Sequence, residues 1–159
     1  VLTLIFKEFL TNSVLLDGYV NNAAVAYDDI ITNLQIDKLR AMYNVNVFSP
    51  MLLTKYAIRN MLLHHIQGSI IHISSIAFSK DTAREWGQLG IRSNVVVPGF
   101  METAMSSSLT EEQKDRIYKR TSLKQATDVR SVAETVAFLL SKKACSITGQ
   151  NIFVDNGTI

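Results

Sequence analysis

Apolar residues recur along this chain with two spacings: short unbroken runs, and stripes repeating every three to four residues. The first spacing marks strands buried on both faces, and the second marks helices that bury one side. Residues 4–10 read as a short amphipathic helix end, and residues 15–20 as an apolar strand stopped by Asn21 and Asn22. A polar loop then leads to Asn33, a predicted N-cap for a helix with Ile36, Leu39 and Met42 on one face. A second helix is expected over 47–64, with Pro50 in its first turn or kinking it. Residues 69–74 are almost continuously apolar, as in a central strand, and a helix over 77–86 is ended by Gly87 and Gly90. Residues 92–97 form the next buried strand, broken by Pro98 and Gly99.

Thr110 and Gln113 have capping-box spacing, opening a very polar helix that runs to Arg120. Asp128 is placed to cap a helix whose Val129, Val132, Ala133, Val136 and Leu140 form an apolar stripe. Residues 150–154 read as the last strand. Strands alternating with helices predict an α/β fold, a parallel sheet with crossover helices in a single domain.

Composition narrows the function classes. With 159 residues, 47% hydrophobic and 19% charged, the chain suffices for one core. A net charge of +2, with no Lys/Arg stripe interleaved with aromatics, gives no reason to expect a nucleic-acid partner. Cys145 is the sole cysteine, so no internal disulfide forms and a reducing compartment is expected. No apolar run approaches the roughly 18 residues of a membrane span, and nothing reads as a signal peptide. A soluble cytoplasmic protein with no membrane partner follows. The chain opens on Val1, not Met, so further residues are expected upstream.

In open parallel sheets, ligands bind beyond the carboxyl ends of the strands. Three strand ends here turn polar or small: Asn21-Asn22-Ala23-Ala24, Ser74-Ser75 and Pro98-Gly99. Small residues there let a planar cofactor approach the backbone closely. Any α/β strand also finishes in turn residues, so each motif alone says little; their order and spacing say more.

Together these motifs resemble the short-chain dehydrogenase/reductase family, closest to its 3-oxoacyl-(acyl-carrier-protein) reductase-like members. The likeness runs from end to end of this chain but covers only the C-terminal two-thirds or so of a typical member. It implies a Rossmann-type doubly wound parallel sheet whose first strands lie upstream of Val1. Asn21, Asn22, Ala23 and Ala24 match the family's Asn-Asn-Ala-Gly, which supports the central strand and touches the cofactor's adenosine side. Ala24 replaces its final glycine. By the same resemblance, Asn46 holds a water in the proton relay, and Ser75 is the catalytic serine that hydrogen-bonds the substrate carbonyl. Pro98, Gly99, Met101 and Thr103 match the segment that fixes the nicotinamide carboxamide. Thr148-Gly149 with Val154-Asp155-Asn156-Gly157 resembles the closing strand used in subunit contacts. Asn156 replaces a glycine there, and Asn is the next best residue for a positive φ.

Two family signatures do not occur between Val1 and Ile159. The glycine-rich Thr-Gly-x-x-x-Gly-x-Gly turn, the phosphate cradle at a helix N-terminus, would precede Val1. The Tyr-x-x-x-Lys pair is the second: none of Tyr19, Tyr27, Tyr43, Tyr56 and Tyr118 has a lysine four residues on. Counting from Ser75, the family's tyrosine position holds Gln88. The motif switches from strand end at Ile76 to mid-helix at Ala77. The resemblance therefore implies an interruption between residues 76 and 77 of roughly twenty residues, although the remaining link still exceeds the dozen or so that a parallel crossover needs.

The function implied is an NAD- or NADP-dependent oxidoreductase, with NADP slightly favoured. It would move hydride between nicotinamide and a carbonyl or secondary alcohol, with a small molecule or an acyl thioester such as a 3-oxoacyl thioester as substrate. A homo-oligomer, dimer or tetramer, is implied as well. The alternative is a truncated, non-catalytic pseudoenzyme acting as a binding or oligomerisation module. Met101, Met105 and the polar 110–120 helix fit either a lid over substrate or a solvated surface helix. Other residues read as structural. His64 and His65 complement a helix end and, being adjacent, share no helical face for a metal. His72 reads as a satisfied core histidine, and Cys145 as structural.

Overall fold

The computed structural model describes residues 14–27, 29–73, 76–107 and 109–158. The expected helix end at 4–10 and the Ser74-Ser75 pair lie outside the described residues. Four strands, β1 (Gly18–Asn21), β2 (Ser69–Ile73), β3 (Arg92–Pro98) and β4 (Asn151–Val154), lie side by side in chain order. All three pairings are parallel, with Asn21 opposite His72, Ile73 opposite Val96 and Pro98 opposite Val154. Parallel neighbours need crossovers, and helices supply them. Helices α1 (Ile36–Tyr43) and α2 (Ser49–Leu63) lie between β1 and β2, and α3 (Ile76–Trp86) lies between β2 and β3. Helices α4 (Glu111–Tyr118) and α5 (Val129–Leu140) lie between β3 and β4.

Successive strand residues point to opposite faces, and β2 uses both. Ile70 packs with Ile58 and Met61 of α2, Ile91 and Trp86 on one side. Ile71 packs with Val96, Val132, Leu139 and Ala144 on the other. Both isoleucines are fully buried, each contributing about 1.5–3 kcal/mol relative to exposure. Helices on both faces explain the unbroken apolar run, and the sheet is doubly wound, as expected. Arg92, at the start of β3, completes the α5 end. Its guanidinium donates to the carbonyls of Leu139 (2.8 Å) and Ser141 (3.3 Å), which have no partner within the helix.

Several local expectations hold. Thr110 accepts from the Gln113 amide while the Gln113 side chain accepts from the Thr110 amide, and Asp128 caps α5 through the amides of Arg130 and Ser131. Gly90 has φ 78°, and Asn156 has φ 57°, the left-handed conformation expected of it.

Others need correction. The first strand starts at Gly18 and includes Asn21; Leu15 is 67% exposed. Asn33 sits in a short 3-10 turn, and Gln35 precedes α1 without a side-chain cap. Pro50 stands in the first turn of α2, as expected, but the helix does not begin at 47: a π turn at Asn44–Phe48 joins α1 to α2. Pro50 accounts for the widening: the Asn46 carbonyl would look to the amide at position 50, and proline has none. In α5 the deepest residue is Leu139, which the predicted stripe omitted, whereas Val129 is 51% exposed. Cys145 is exposed.

Candidate functional site

Because the four strands run parallel, their carboxyl ends share one edge of the sheet. Asn21, Ile73, Pro98 and Val154 end them. Asn22, Ala23 and Ala24 follow β1 as an exposed stretch. Gly99 follows β3, with Met101 half-buried and Thr103 exposed. Ser75, the sequence-predicted catalytic serine, lies two residues past β2 and outside the described residues.

Asn21 turns inward. Its Oδ1 accepts from the Tyr19 hydroxyl, while its Nδ2 donates to Thr54 Oγ1 (3.1 Å) and contacts His72 Nδ1 (2.8 Å). The amide thus ties β1 to β2 and to α2, and as donor it requires His72 Nδ1 to be the acceptor, hence a neutral ring. Burial holds the His72 imidazole down at about 4 and pushes the Tyr19 phenol up to about 12. His72 is a core histidine, completely buried.

Asn46 lies in the π turn. Its Oδ1 accepts from the Val25 amide (2.9 Å) and its Nδ2 donates to the Val25 carbonyl (2.8 Å). Two antiparallel bonds to one peptide clamp the loop after Asn22-Ala23-Ala24 against the helix, so both polar atoms of this side chain are engaged. Sequence reasoning missed Val25, since nothing local links an apolar loop residue to a side chain twenty-one positions on.

The segment after β3 is a strap tied at several points. Gly99 donates to the Val154 carbonyl (2.9 Å), Thr127 donates to the Phe100 carbonyl (2.8 Å), and Ser106 Oγ donates to the Met101 carbonyl (3.0 Å). The Thr103 amide is taken by Ser106 Oγ at 2.9 Å. Glycine is needed at position 99 by space: a Cβ there would lie 2.7 Å from both Asp155 Cα and Thr127 Oγ1. Glu102 accepts from the Tyr118 hydroxyl. That carboxylate holds the Tyr118 phenol above its ordinary value. Among the described residues, no three His, Cys, Asp or Glu side chains gather as a metal site, and no helix is long and apolar enough to cross a membrane.

Two family models divide the chain between them. One, described as short chain dehydrogenase, matches residues 5–80, and the other, described as enoyl-(acyl carrier protein) reductase, matches residues 76–158. The chain belongs to the short-chain dehydrogenase/reductase family. Among curated relatives, the 3-oxoacyl-(acyl-carrier-protein) reductase FabG of Vibrio cholerae is 30% identical over 161 residues, and that of Escherichia coli is 31% identical over the same length. Each match covers 89% of this chain and 66% of the relative, so the chain spans just under two-thirds of the length of the relatives it matches. Since 89% of 159 residues is about 142, some twenty positions of each 161-residue alignment have no counterpart in this chain.

Solved structures agree on the fold. A gluconate 5-dehydrogenase from Burkholderia cenocepacia in complex with NADP and tartrate superposes with a TM-score of 0.90 at 23% identity, covering 97% of this chain and 69% of that one. A 4-hydroxyisoleucine dehydrogenase complexed with NADH gives 0.92 at 21%, covering 98% and 73%. These likenesses establish a Rossmann-type architecture for this family member.

Proposed function

We propose that the protein to which these residues belong is an NAD(P)-dependent oxidoreductase acting on a carbonyl or secondary alcohol, with a 3-oxoacyl thioester as the first substrate to test. The observation that carries this reading is the shared carboxyl edge: exposed Asn22-Ala23-Ala24, the end of β2 and the Pro98-Gly99 strap follow three neighbouring parallel strands. Family membership and the NADP and NADH bound by two similarly folded proteins support it.

The residues present suit a nicotinamide dinucleotide in part. Small exposed residues after β1 allow close backbone approach, and the strap, held down through Gly99, presents Met101 and Thr103 at the same edge. In this reading Asn22, Ala23 and Ala24 line the adenosine side, and Pro98, Gly99, Met101 and Thr103 the nicotinamide side. Asn21 supports them from beneath the edge. Bound there, the cofactor supplies hydride. Ser75 orients the carbonyl oxygen, for which an ordinary hydroxyl suffices. Asn46 holds a relay water through its backbone carbonyl, because its side chain is committed to Val25.

The proton donor belongs to the segment proposed to be interrupted between residues 76 and 77. The overlap of the two family models at 76–80 supports that position, and the twenty or so alignment positions without a counterpart here support its length. The sheet's first strands are assigned to residues upstream of Val1. There they would pair with β1, the edge strand among the described residues, beside a cavity of about 420 Å³ lined by Tyr19, Asn22, Leu52, Leu53 and Tyr56. The second reading is a non-catalytic binding or oligomerisation module, favoured by the lack of a lysine four residues after any tyrosine.

Intact mass separates the two: a mass well above 17.7 kDa supports the enzyme, and 17.7 kDa supports the module. In the longer protein, Ser75→Ala is expected to cut ketone or 3-oxoacyl thioester reduction by about 10²–10³, the usual cost of a donor lost at a developing oxyanion, while NADPH titration by fluorescence stays unchanged. Unaltered turnover in that variant removes Ser75 from the mechanism.

A further inference from the structure

Helix α4 has no buried residue. Its i,i+4 ion pairs, Arg116 with Glu112 and Lys119 with Asp115, stabilise the helix itself and attach it to nothing. Among the described residues, one cluster of side chains joins it to the β3 strap. Tyr118 and Lys114, four apart and so on one face, both turn toward the β3 strap. The Tyr118 hydroxyl donates to Glu102, the Lys114 ammonium lies 3.9 Å from the same carboxylate, and the Tyr118 ring meets Phe100 at a centroid distance of 6.0 Å and a 56° tilt. Lys114 also bonds Glu111 at 2.8 Å, and its side chain is only 18% exposed. The strap is fixed to the body by backbone bonds of Gly99 and Phe100 and by Met101, which packs against the core. Just past α4, Thr121 is buried and bridges to Thr158. One end of the helix is therefore anchored, and among the described residues Glu102 and Phe100 receive the side chains of the rest.

We propose that Glu102 is a latch: Tyr118 and Lys114 close on it to seat α4 against the strap, and their release lets α4 swing about Thr121 while the sheet stays folded. Glu102 stands between Met101 and Thr103, so the element that carries the latch also lies at the sheet's carboxyl edge. The latch rests on these contacts alone and stands whether or not the chain reduces carbonyls.

Hydrogen–deuterium exchange read by mass spectrometry on the protein without ligand tests it. In Glu102→Ala, the amides of residues 114–118 are expected to exchange about tenfold faster, the scale of one lost charged hydrogen bond, with β2 and β3 unchanged. Tyr118→Phe keeps the ring on Phe100 and loses only the hydroxyl, so it should give a smaller rise confined to the same peptide. Unchanged α4 exchange in both variants overturns the latch. So does a rise in Glu102→Ala that β2 and β3 share, because Glu102 would then hold the whole fold. Should Glu102→Ala fail to fold, Tyr118→Phe decides alone: a rise confined to α4 supports the latch, and none overturns it.

Discussion

The segments that leave β2 and β3 make an instructive pair, because both follow strand ends at the same edge of the sheet and the one after β3 is held along its length. After β3, the strap from Pro98 to Thr103 has backbone bonds to β4, to Thr127 and to Ser106. After β2, helix α3 begins at Ile76, and β3 is already reached at Arg92. That crossover keeps the residues that pack: the Ser79 hydroxyl meets that of Ser93 at 3.0 Å, and Trp86 joins the core beside Ile91. Its length still exceeds the dozen residues a parallel connection requires. Sheet closure thus depends on the distal half of the crossover, and chemistry, in the proposed reading, on the proximal half. In that reading, fold and activity are separable properties of one connection.

The sharpest way to break this contrast is turnover. A chain of these 159 residues alone is expected to show no reduction of a 3-oxoacyl thioester or a simple ketone. The same chain supplied with the upstream segment and the family's segment between Ile76 and Ala77, both taken from a curated relative, is expected to gain it. A positioned general acid is typically worth about 10²–10⁴ in rate, and the phosphate cradle adds to that. Steady-state oxidation of NADPH is the assay. Turnover by the 159-residue chain would show that the β2 side needs no added segment.

Acid should distinguish the two sides next. His72 stands one residue before the end of β2, with a folded pKa of about 4 against 6.5 unfolded. The unfolded chain therefore binds a proton between these values that the folded chain does not. Stability is whole above about pH 6.5 and falls as pH drops toward 4, by up to about 3 kcal/mol. Urea midpoints between pH 7 and pH 4.5 should show the slope, and His72→Gln should flatten it. A slope that persists in His72→Gln places the acid sensitivity elsewhere.

The strap answers to volume. Gly99→Ala puts a methyl 2.7 Å from the Asp155 Cα, a backbone atom that cannot rotate aside. Either the strap or the end of β4 must shift, at about 1–3 kcal/mol, read as a lower urea midpoint with an unchanged m-value. An unaltered midpoint would show that the strap is less tightly held than its bonds suggest.

What the sequence discloses follows the range of the cause. The caps at Thr110 and Asp128, the left-handed Asn156 and the central strands are set by residues within a few positions, and each stands where the pattern puts it. The π turn was half legible: Pro50 announces a lost hydrogen bond, but only the continuing rod shows that the helix widens instead of breaking. Leu139 escaped because the predicted stripe ran on to Leu140, while the sheet takes Leu139 deepest. The clamp of Asn46 on Val25 and the reach of Tyr118 to Glu102 join residues 21 and 16 apart through irregular backbone, and no period encodes them. Asn21 and Pro98 are therefore readable as strand ends, and the bonds that hold the neighbouring loops are not.

The smallest expected difference is between two helix caps on the strap side, and it tests how the helices there are held. Asp128 and Thr110 each cap a helix through its first amides. Yet α5 buries Val132 and Leu139 in the core, whereas α4 has no fully buried residue. Asp128→Ala should cost about 1 kcal/mol of global stability, the usual worth of an N-cap, because α5 unfolds only with the sheet. Thr110→Ala removes a similar bond from a helix free to open locally, so its loss is absorbed before global unfolding begins. Its urea midpoint should match the wild type, while exchange within α4 quickens several-fold. Equal midpoint shifts in the two variants would mean that α4 unfolds only with the core, and that Glu102 fastens no separate unit.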